Sequence, residues 1–188
     1  RSIEAIVIAS PIKTHFSLSQ STLKSSKHVF IEKTISENSK NAKNLINLAK
    51  NKDLMIFVGH IFLYHPIFKK IKEIHKREPI TYLKLNWIKL GSFNEDILLD
   101  LASHYMSIII DLLGMPKSIK ILNNKKIISS CDNITIKFKF GKGEKCIVDI
   151  NRTSSFKKRS ILLVTKKNVF EWNDDTLYKF NKLKQIFE

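Results

Sequence analysis

Ile3-Glu4-Ala5-Ile6-Val7-Ile8-Ala9-Ser10, closed by Pro11, decides the fold. The run is short and nearly all apolar, and it ends at a residue that cannot donate to a ladder. That is the pattern of a strand buried on both faces. Two similar runs follow, His28-Val29-Phe30-Ile31-Glu32-Lys33 and Leu54-Met55-Ile56-Phe57-Val58-Gly59-His60. Between the first and second, a helix capped by Thr14 is expected to run to about Lys27. Between the second and third, Ser36 and Glu37 open a helix to about Lys50, with Ala42, Leu45, Ile46 and Ala49 at i, i+3, i+4, i+7 on one face. Strands alternating with helices imply parallel crossovers, as in a doubly wound sheet.

Beyond His60 the pattern changes. Pro66 suits the first turn of a helix reaching about Lys76, with Ile67, Ile71 and Ile74 inward. Residues 80–90 read as a strand. Residues 98–113 read as a helix stopped by Gly114, with Pro116 beyond. Strands are expected near 118–122, 133–140, 145–152 and 159–172, with Gly141-Lys142-Gly143 as a turn. The expected organisation is an α/β domain over 1–60 followed by an α+β lobe over 61–188 with an open, mainly antiparallel sheet.

Hydrophobic residues make up 43% of the chain, enough for a packed core. No apolar run reaches the roughly 18 residues of a membrane span, and the start lacks a signal-peptide pattern, so no membrane partner and a cytoplasmic location are expected. Cys131 and Cys146 stand alone, without metal-ligand spacing, and read as reduced thiols rather than a disulfide. The net charge of +16 raises a basic nucleic-acid module as one reading. Against it, the arginines are only Arg1, Arg77, Arg152 and Arg159, and the lysines spread over several elements. Nucleic-acid readers favour the arginine fork, so no nucleic-acid partner is expected.

Two places carry chemistry. In the helix over 98–113, Asp100, His104, Ser107 and Asp111 fall on one stripe of an otherwise apolar segment. Such a stripe needs polar partners or a wet cleft. Asp100 can orient His104 and raise its basicity, as for a proton acceptor; the same pair also suits a satisfied core histidine. No third ligand accompanies them, so no metal is expected. The second place is Glu32-Lys33 at the end of a strand. Ligands of open parallel sheets bind beyond the carboxyl ends of the strands, where Ser10 and Pro11 also fall.

In order along the chain, Ala5-Ile-Val-Ile-Ala-Ser-Pro11 with Thr14-His15, Lys27-His-Val-Phe-Ile-Glu-Lys33, Val58-Gly-His-Ile-Phe-Leu-Tyr-His-Pro66, Asp100-Leu-Ala-Ser-His104 and Arg159-Ser-Ile-Leu-Leu-Val resemble the glucose–fructose oxidoreductase, inositol dehydrogenase and MocA family. The resemblance implies the second half of a Rossmann-type domain followed by a substrate lobe. It implies NAD or NADP as cofactor and a sugar, polyol or nucleotide sugar as substrate. Ser10, Pro11, His15, Glu32 and Lys33 would border the nicotinamide ribose and ring. Tyr64, Lys33, Asp100 and His104 would meet the substrate, and Lys33, His104 and Asp100 would be catalytic, converging on one pocket. Relatives often pair through the open sheet, so a homo-oligomer is expected.

The chain departs from the family at Thr34, where Pro is usual, and at Leu63, where Arg is frequent. No G-x-G-x-x-G occurs. The expectation is therefore a chain cut short at its N-terminus, exposing a raw sheet edge, and incomplete at its C-terminus. A non-catalytic sugar- or partner-binding relative is the alternative reading.

Overall fold

The computed structural model describes residues 3–181 and 186–187. The chain divides into two compact units, Arg1–Ile61 and Phe62–Glu188.

In the first unit, β1 (Ala5–Ile8), β2 (His28–Glu32) and β3 (Ile56–Gly59) form a parallel sheet in the order β1-β2-β3. The crossovers are α1 (Ile12–Lys24) and α2 (Ser39–Asn51). Ile8, Val29 and Ile31 from the strands pack with Leu23, Leu45 and Ala49 from the helices. The expectation of a fully buried first strand fails: Val7 is 69% exposed, because β1 is an edge with a single neighbour.

Both helix starts also differ from the reading above. Helix α1 begins at Ile12 with Pro11 as its cap residue, and the Thr14 hydroxyl donates back to the Pro11 carbonyl (2.8 Å) instead of capping. A residue without an N–H costs a helix nothing at its first position. Helix α2 is capped by Asn38, whose side-chain oxygen accepts from the Asn41 amide (2.9 Å), while the Ser36 hydroxyl donates to the Asn38 carbonyl. Its buried face is narrower than the periodicity implied: Ile46 is exposed, and Leu48 packs inward with Leu45 and Ala49.

The second unit is an eight-stranded sheet in the order β11-β10-β9-β8-β4-β7-β6-β5. Its strands are β4 (Ile80–Leu90), β5 (Ser118–Lys125), β6 (Asn133–Lys139), β7 (Lys145–Asn151), β8 (Thr153–Thr165), β9 (Asn168–Asn173), β10 (Thr176–Asn181) and β11 (Ile186–Phe187). All neighbours are antiparallel except β4 and β7. Leu83 and Leu85, Cys146 and Val148, and Ile161 and Leu163 alternate onto one face. They share a core with Phe68 and Ile71 of α3 (Pro66–Arg77) and Tyr105, Ile108 and Ile109 of α4 (Ser103–Leu113).

The single strand expected over 159–172 is two, turned at Lys166-Lys167. Glu78 holds that turn, its carboxylate accepting from the Thr165 hydroxyl, the Lys167 amide (2.9 Å), the Asn168 amide (3.1 Å) and the Asn168 side-chain amide (2.8 Å). The expected helix over 98–113 is a π-helical turn, Leu98–Ala102, continued by α4. The Asp96 carboxylate accepts from the Leu98 (2.7 Å) and Leu99 (3.3 Å) amides at its start. Gly114, at φ 76°, ends the helix as anticipated. Ile110 is 45% exposed, so this helix is not buried all round.

Behind it lies a buried ion pair. Arg152 Nε meets Asp132 Oδ1 at 3.2 Å, and Arg152 also donates to the carbonyls of Ser92 (3.2 Å) and Glu95 (2.7 Å). The bond to Glu95 fixes the loop that leads into the π turn. Burial alone would raise the Asp132 carboxyl; hydrogen bonds from Ser129, Ile128 and Ile127 outweigh it and hold the group well below the usual carboxylate range.

Both cysteines are free thiols, and burial pushes both upward in pKa. Among the described residues, no helix is long and apolar enough to cross a membrane.

Candidate functional site

At the carboxyl edge of the parallel sheet, Ser10 and Pro11 follow β1, Glu32, Lys33 and Thr34 close β2, and Gly59 and His60 close β3. His15 ties the first two together. Its ring is 1% exposed; Nε2 lies 2.8 Å from the Ser10 carbonyl and Nδ1 lies 2.7 Å from the Thr34 carbonyl. Carbonyl oxygens only accept, so a neutral ring donates its one N–H to one of the two carbonyls while its other nitrogen lies against the second. The Ser10 and Thr14 hydroxyls are hydrogen-bonded at 2.6 Å. The Lys33–Thr34 peptide bond is cis.

Glu32 pairs with Gly59 across the sheet, and its carboxylate lies over the glycine: a Cβ there would meet both carboxylate oxygens at 3.3 Å. Two polar atoms of this edge, Thr34 Oγ1 and His60 Nδ1, are buried without a hydrogen-bond partner among the described residues. Burial lowers the His60 pKa and favours the neutral ring. Sequence reasoning missed Gly59 and His60 as site residues, although both lie within the quoted Val58–Pro66 segment.

The second unit gathers a different cluster. Trp87 of β4 stacks on His104 (centroids 5.5 Å, 19°), and Phe62 meets the same imidazole edge-on (5.0 Å, 83°). The Arg159 guanidinium lies over Phe62 (5.1 Å) and over Trp87 (5.9 Å). Register explains the grouping. Leu83, Leu85 and Trp87 oppose Leu163, Ile161 and Arg159 on the helix-covered face. The apolar pairs give way to an indole–guanidinium pair toward the carboxyl end of β4.

Asp100 and His104 are both half-buried. The Ser103 hydroxyl donates to the Asp100 carbonyl (3.2 Å), and the Ser107 hydroxyl donates to the His104 carbonyl (2.8 Å). Asp111 leaves the expected stripe for an ion pair with Lys72 at 2.7 Å. Tyr64 ends a short 3-10 turn, Ile61–Tyr64, with its side chain 55% exposed.

Thus Ser10, Pro11, His15, Glu32 and Lys33 belong to one edge of the first unit, and Tyr64, Asp100 and His104 to the second unit. Neither Phe62, Trp87 nor Arg159 was singled out by local sequence. Their grouping depends on β4–β8 register, which no short motif reveals.

Residues 1–60 match the family model described as "Oxidoreductase family, NAD-binding Rossmann fold". The chain is similar to the UDP-N-acetylglucosamine 3-dehydrogenase of Acidithiobacillus ferrooxidans, 28% identical over 115 residues, which is 60% of this chain and 36% of that protein. It is also similar to the myo-inositol 2-dehydrogenase of Thermotoga maritima, 34% identical over 71 residues, 38% of this chain and 21% of that protein. The chain thus spans well under half the length of these curated relatives. Among solved structures, the Acidithiobacillus ferrooxidans enzyme superposes with a TM-score of 0.89 at 19% identity, covering 98% of this chain and 63% of that one. An inositol dehydrogenase homolog from Azotobacter vinelandii, complexed with NADH and myo-inositol, superposes with a TM-score of 0.85 at 17% identity, covering 99% and 55%. These two structures show a shared fold.

Proposed function

We propose that the protein is a member of the Gfo/Idh/MocA family of oxidoreductases, whose NAD-binding model residues 1–60 match, and that it transfers hydride between a hydroxyl-bearing carbon of a sugar, polyol or nucleotide sugar and NAD or NADP. The observation that carries the reading is the carboxyl edge of the parallel sheet, with buried Thr34 Oγ1 and His60 Nδ1 unpartnered among the described residues. Ligands of such sheets bind at that edge, and buried polar atoms left unmatched call for a partner.

When bound there, the nicotinamide supplies the hydride acceptor or donor. Ser10, Pro11 and Glu32 border its ribose and ring, and His15 keeps the Ser10 and Thr34 loops in position. Thr34 and His60 meet its polar groups. In the oxidative direction, His104 accepts the proton of the substrate hydroxyl, and Asp100 holds the imidazole for that transfer. The Lys33 ammonium donates a hydrogen bond to the oxygen as negative charge develops on it. Tyr64 contacts the sugar ring. The substrate leaves as the carbonyl compound, and the proton leaves through His104.

The test is turnover of the intact protein, followed by nicotinamide absorbance against a panel of sugars and nucleotide sugars. Lys33→Ala and His104→Ala are each expected to lower kcat by about a hundredfold or more. Normal turnover by both variants would overturn the roles. A sugar that stabilises the protein with no nicotinamide dependence would point instead to a non-catalytic binding relative.

The intact protein is also proposed to self-associate through the sheet face bearing Ile147, Leu162 and Val164. These residues alternate with buried Val148, Ile161 and Leu163 and are half-buried. Light scattering is expected to give a dimer or larger; a monomer would refute it.

A further inference from the structure

Arg159 stands out in the second unit as a cation held in place without being used. Its guanidinium rests on the faces of Phe62 and Trp87. Its nearest carboxylate, Asp174, is 3.7 Å away and 71% exposed, a loose pair that water screens. None of its N–H groups has a hydrogen-bond partner among the described residues. The planar fork therefore presents donors in an orientation already fixed by two aromatic rings. Ordering a guanidinium in advance lowers the entropy cost of binding an oxyanion with it.

The surroundings are shaped for such a ligand. A cavity of about 340 Å³ is lined by Phe156, Lys157, Lys158, Arg159, Asn173 and Asp174. Three cations face one carboxylate there, so the excess charge is positive. The register of β8 against β4 shifts between the Ile88–Lys158 and Leu90–Thr153 pairs, and Lys157 lies exposed in that irregular stretch, next to the cavity it lines. Arg159 joins that cavity to the candidate chemistry, because its guanidinium rests on Phe62 and Trp87, the two rings that also pack on His104.

We infer that the substrate carries a phosphoryl anion, gripped by Arg159 with Lys157 beside it, while its sugar ring lies against Trp87 at His104. The inference rests on the hydride-transfer reading and narrows it: a neutral polyol would leave the guanidinium unmatched, whereas a sugar phosphate or a nucleoside diphosphate sugar fills the fork. Bidentate arginine–phosphate contacts are among the strongest hydrogen bonds a protein makes.

Direct binding to the intact protein by titration calorimetry tests this without requiring turnover. The probes are UDP-N-acetylglucosamine, N-acetylglucosamine 1-phosphate, N-acetylglucosamine and NADH, each measured with wild type, Arg159→Gln and Arg159→Lys. At least one phosphorylated sugar is expected to bind, to weaken with added salt, and to lose about tenfold or more in Kd with Arg159→Gln. Arg159→Lys, which keeps the charge but not the fork, is expected to fall between. NADH affinity is expected to hold in both variants. Tighter binding of the diphosphate or of the monophosphate probe identifies which anion the cavity takes.

The inference is overturned if neither phosphorylated probe binds, if the neutral sugar binds as tightly, or if both variants bind like wild type. It is also overturned if NADH weakens in parallel, since the anion would then be the dinucleotide's. Arg159-dependent binding without nicotinamide-dependent turnover would instead sink the hydride-transfer reading. Turnover of neutral sugars unaffected by Arg159→Gln would sink only this inference.

Discussion

Replacing His15 by Leu tests the brace beneath the carboxyl edge of the parallel sheet. The ring is 1% exposed and holds the Ser10 and Thr34 carbonyls at 2.8 and 2.7 Å. Leucine nearly preserves the volume, so little cavity forms, but the imidazole's hydrogen bond to this pair of carbonyls goes. That bond contributes a net of about 1 kcal/mol, and the carbonyl left unmet in a buried place adds to the loss, for a total of about 1–3 kcal/mol. His15→Gln keeps one amide group and should recover about half of that. Urea unfolding followed by far-UV circular dichroism measures the loss. Hydrogen exchange should localise the loosening to residues near 10–15 and 31–36. The tryptophans, Trp87 and Trp172, lie in the other unit, so their emission does not report this site directly. A loss below about 0.5 kcal/mol, or exchange unchanged in both segments, would refute the brace.

Other substitutions probe separate links. Gly59→Ala places a Cβ 3.3 Å from both Glu32 oxygens, which shift by a few tenths of an ångström because they end a flexible side chain. Stability should change by less than about 1 kcal/mol while KM for the nicotinamide rises several-fold; an unchanged KM would separate Glu32 from the cofactor. Glu78→Gln tests the clamp on the β8–β9 turn. Burial would raise the Glu78 carboxyl, but hydrogen bonds from Thr165, Asn168 and Lys167 outweigh it and lower the group below its ordinary value of 4.5. A carboxyl depressed in the folded state stabilises above its unfolded pKa and loses that contribution as pH falls through the folded value. The stability gap between wild type and Glu78→Gln should therefore be full at pH 7 and shrink on acidification below about pH 4.5. A gap independent of pH would refute the clamp's ionic character. His60 has the same sense at higher pH. Burial lowers its pKa, so protonation below about pH 6.5 opposes folding, and His60→Gln should flatten stability between about pH 6.5 and 5; an unaltered slope would contradict the burial of that ring.

Much of this architecture was legible because period and punctuation agreed with packing. The second and third apolar runs became central and neighbouring strands, Pro66 opened α3, and Gly114 closed α4. Where the reading slipped, a distant or competing partner decided. The turn at Lys166-Lys167 is held by Glu78, far away in sequence, so local pattern ran β8 and β9 together. Thr14 found the Pro11 carbonyl, and Asn38 took the capping place from Ser36. The apolar run of β1 read as buried because hydropathy does not show how many neighbours a strand has. The Glu32-Lys33 edge could be anticipated from strand ends. Arg159, Trp87 and Phe62 could not, since their meeting follows from the register of strands far apart in sequence.

Lys33 and His104 are proposed to serve the same hydroxyl. The most direct measurement is kcat for Lys33→Ala, His104→Ala and the double variant of the intact protein on one turned-over sugar. Groups that act as a unit lose their effect together. The double variant is expected to be little slower than the worse single variant. Losses that multiply, with each variant slowing the reaction independently, would contradict the account.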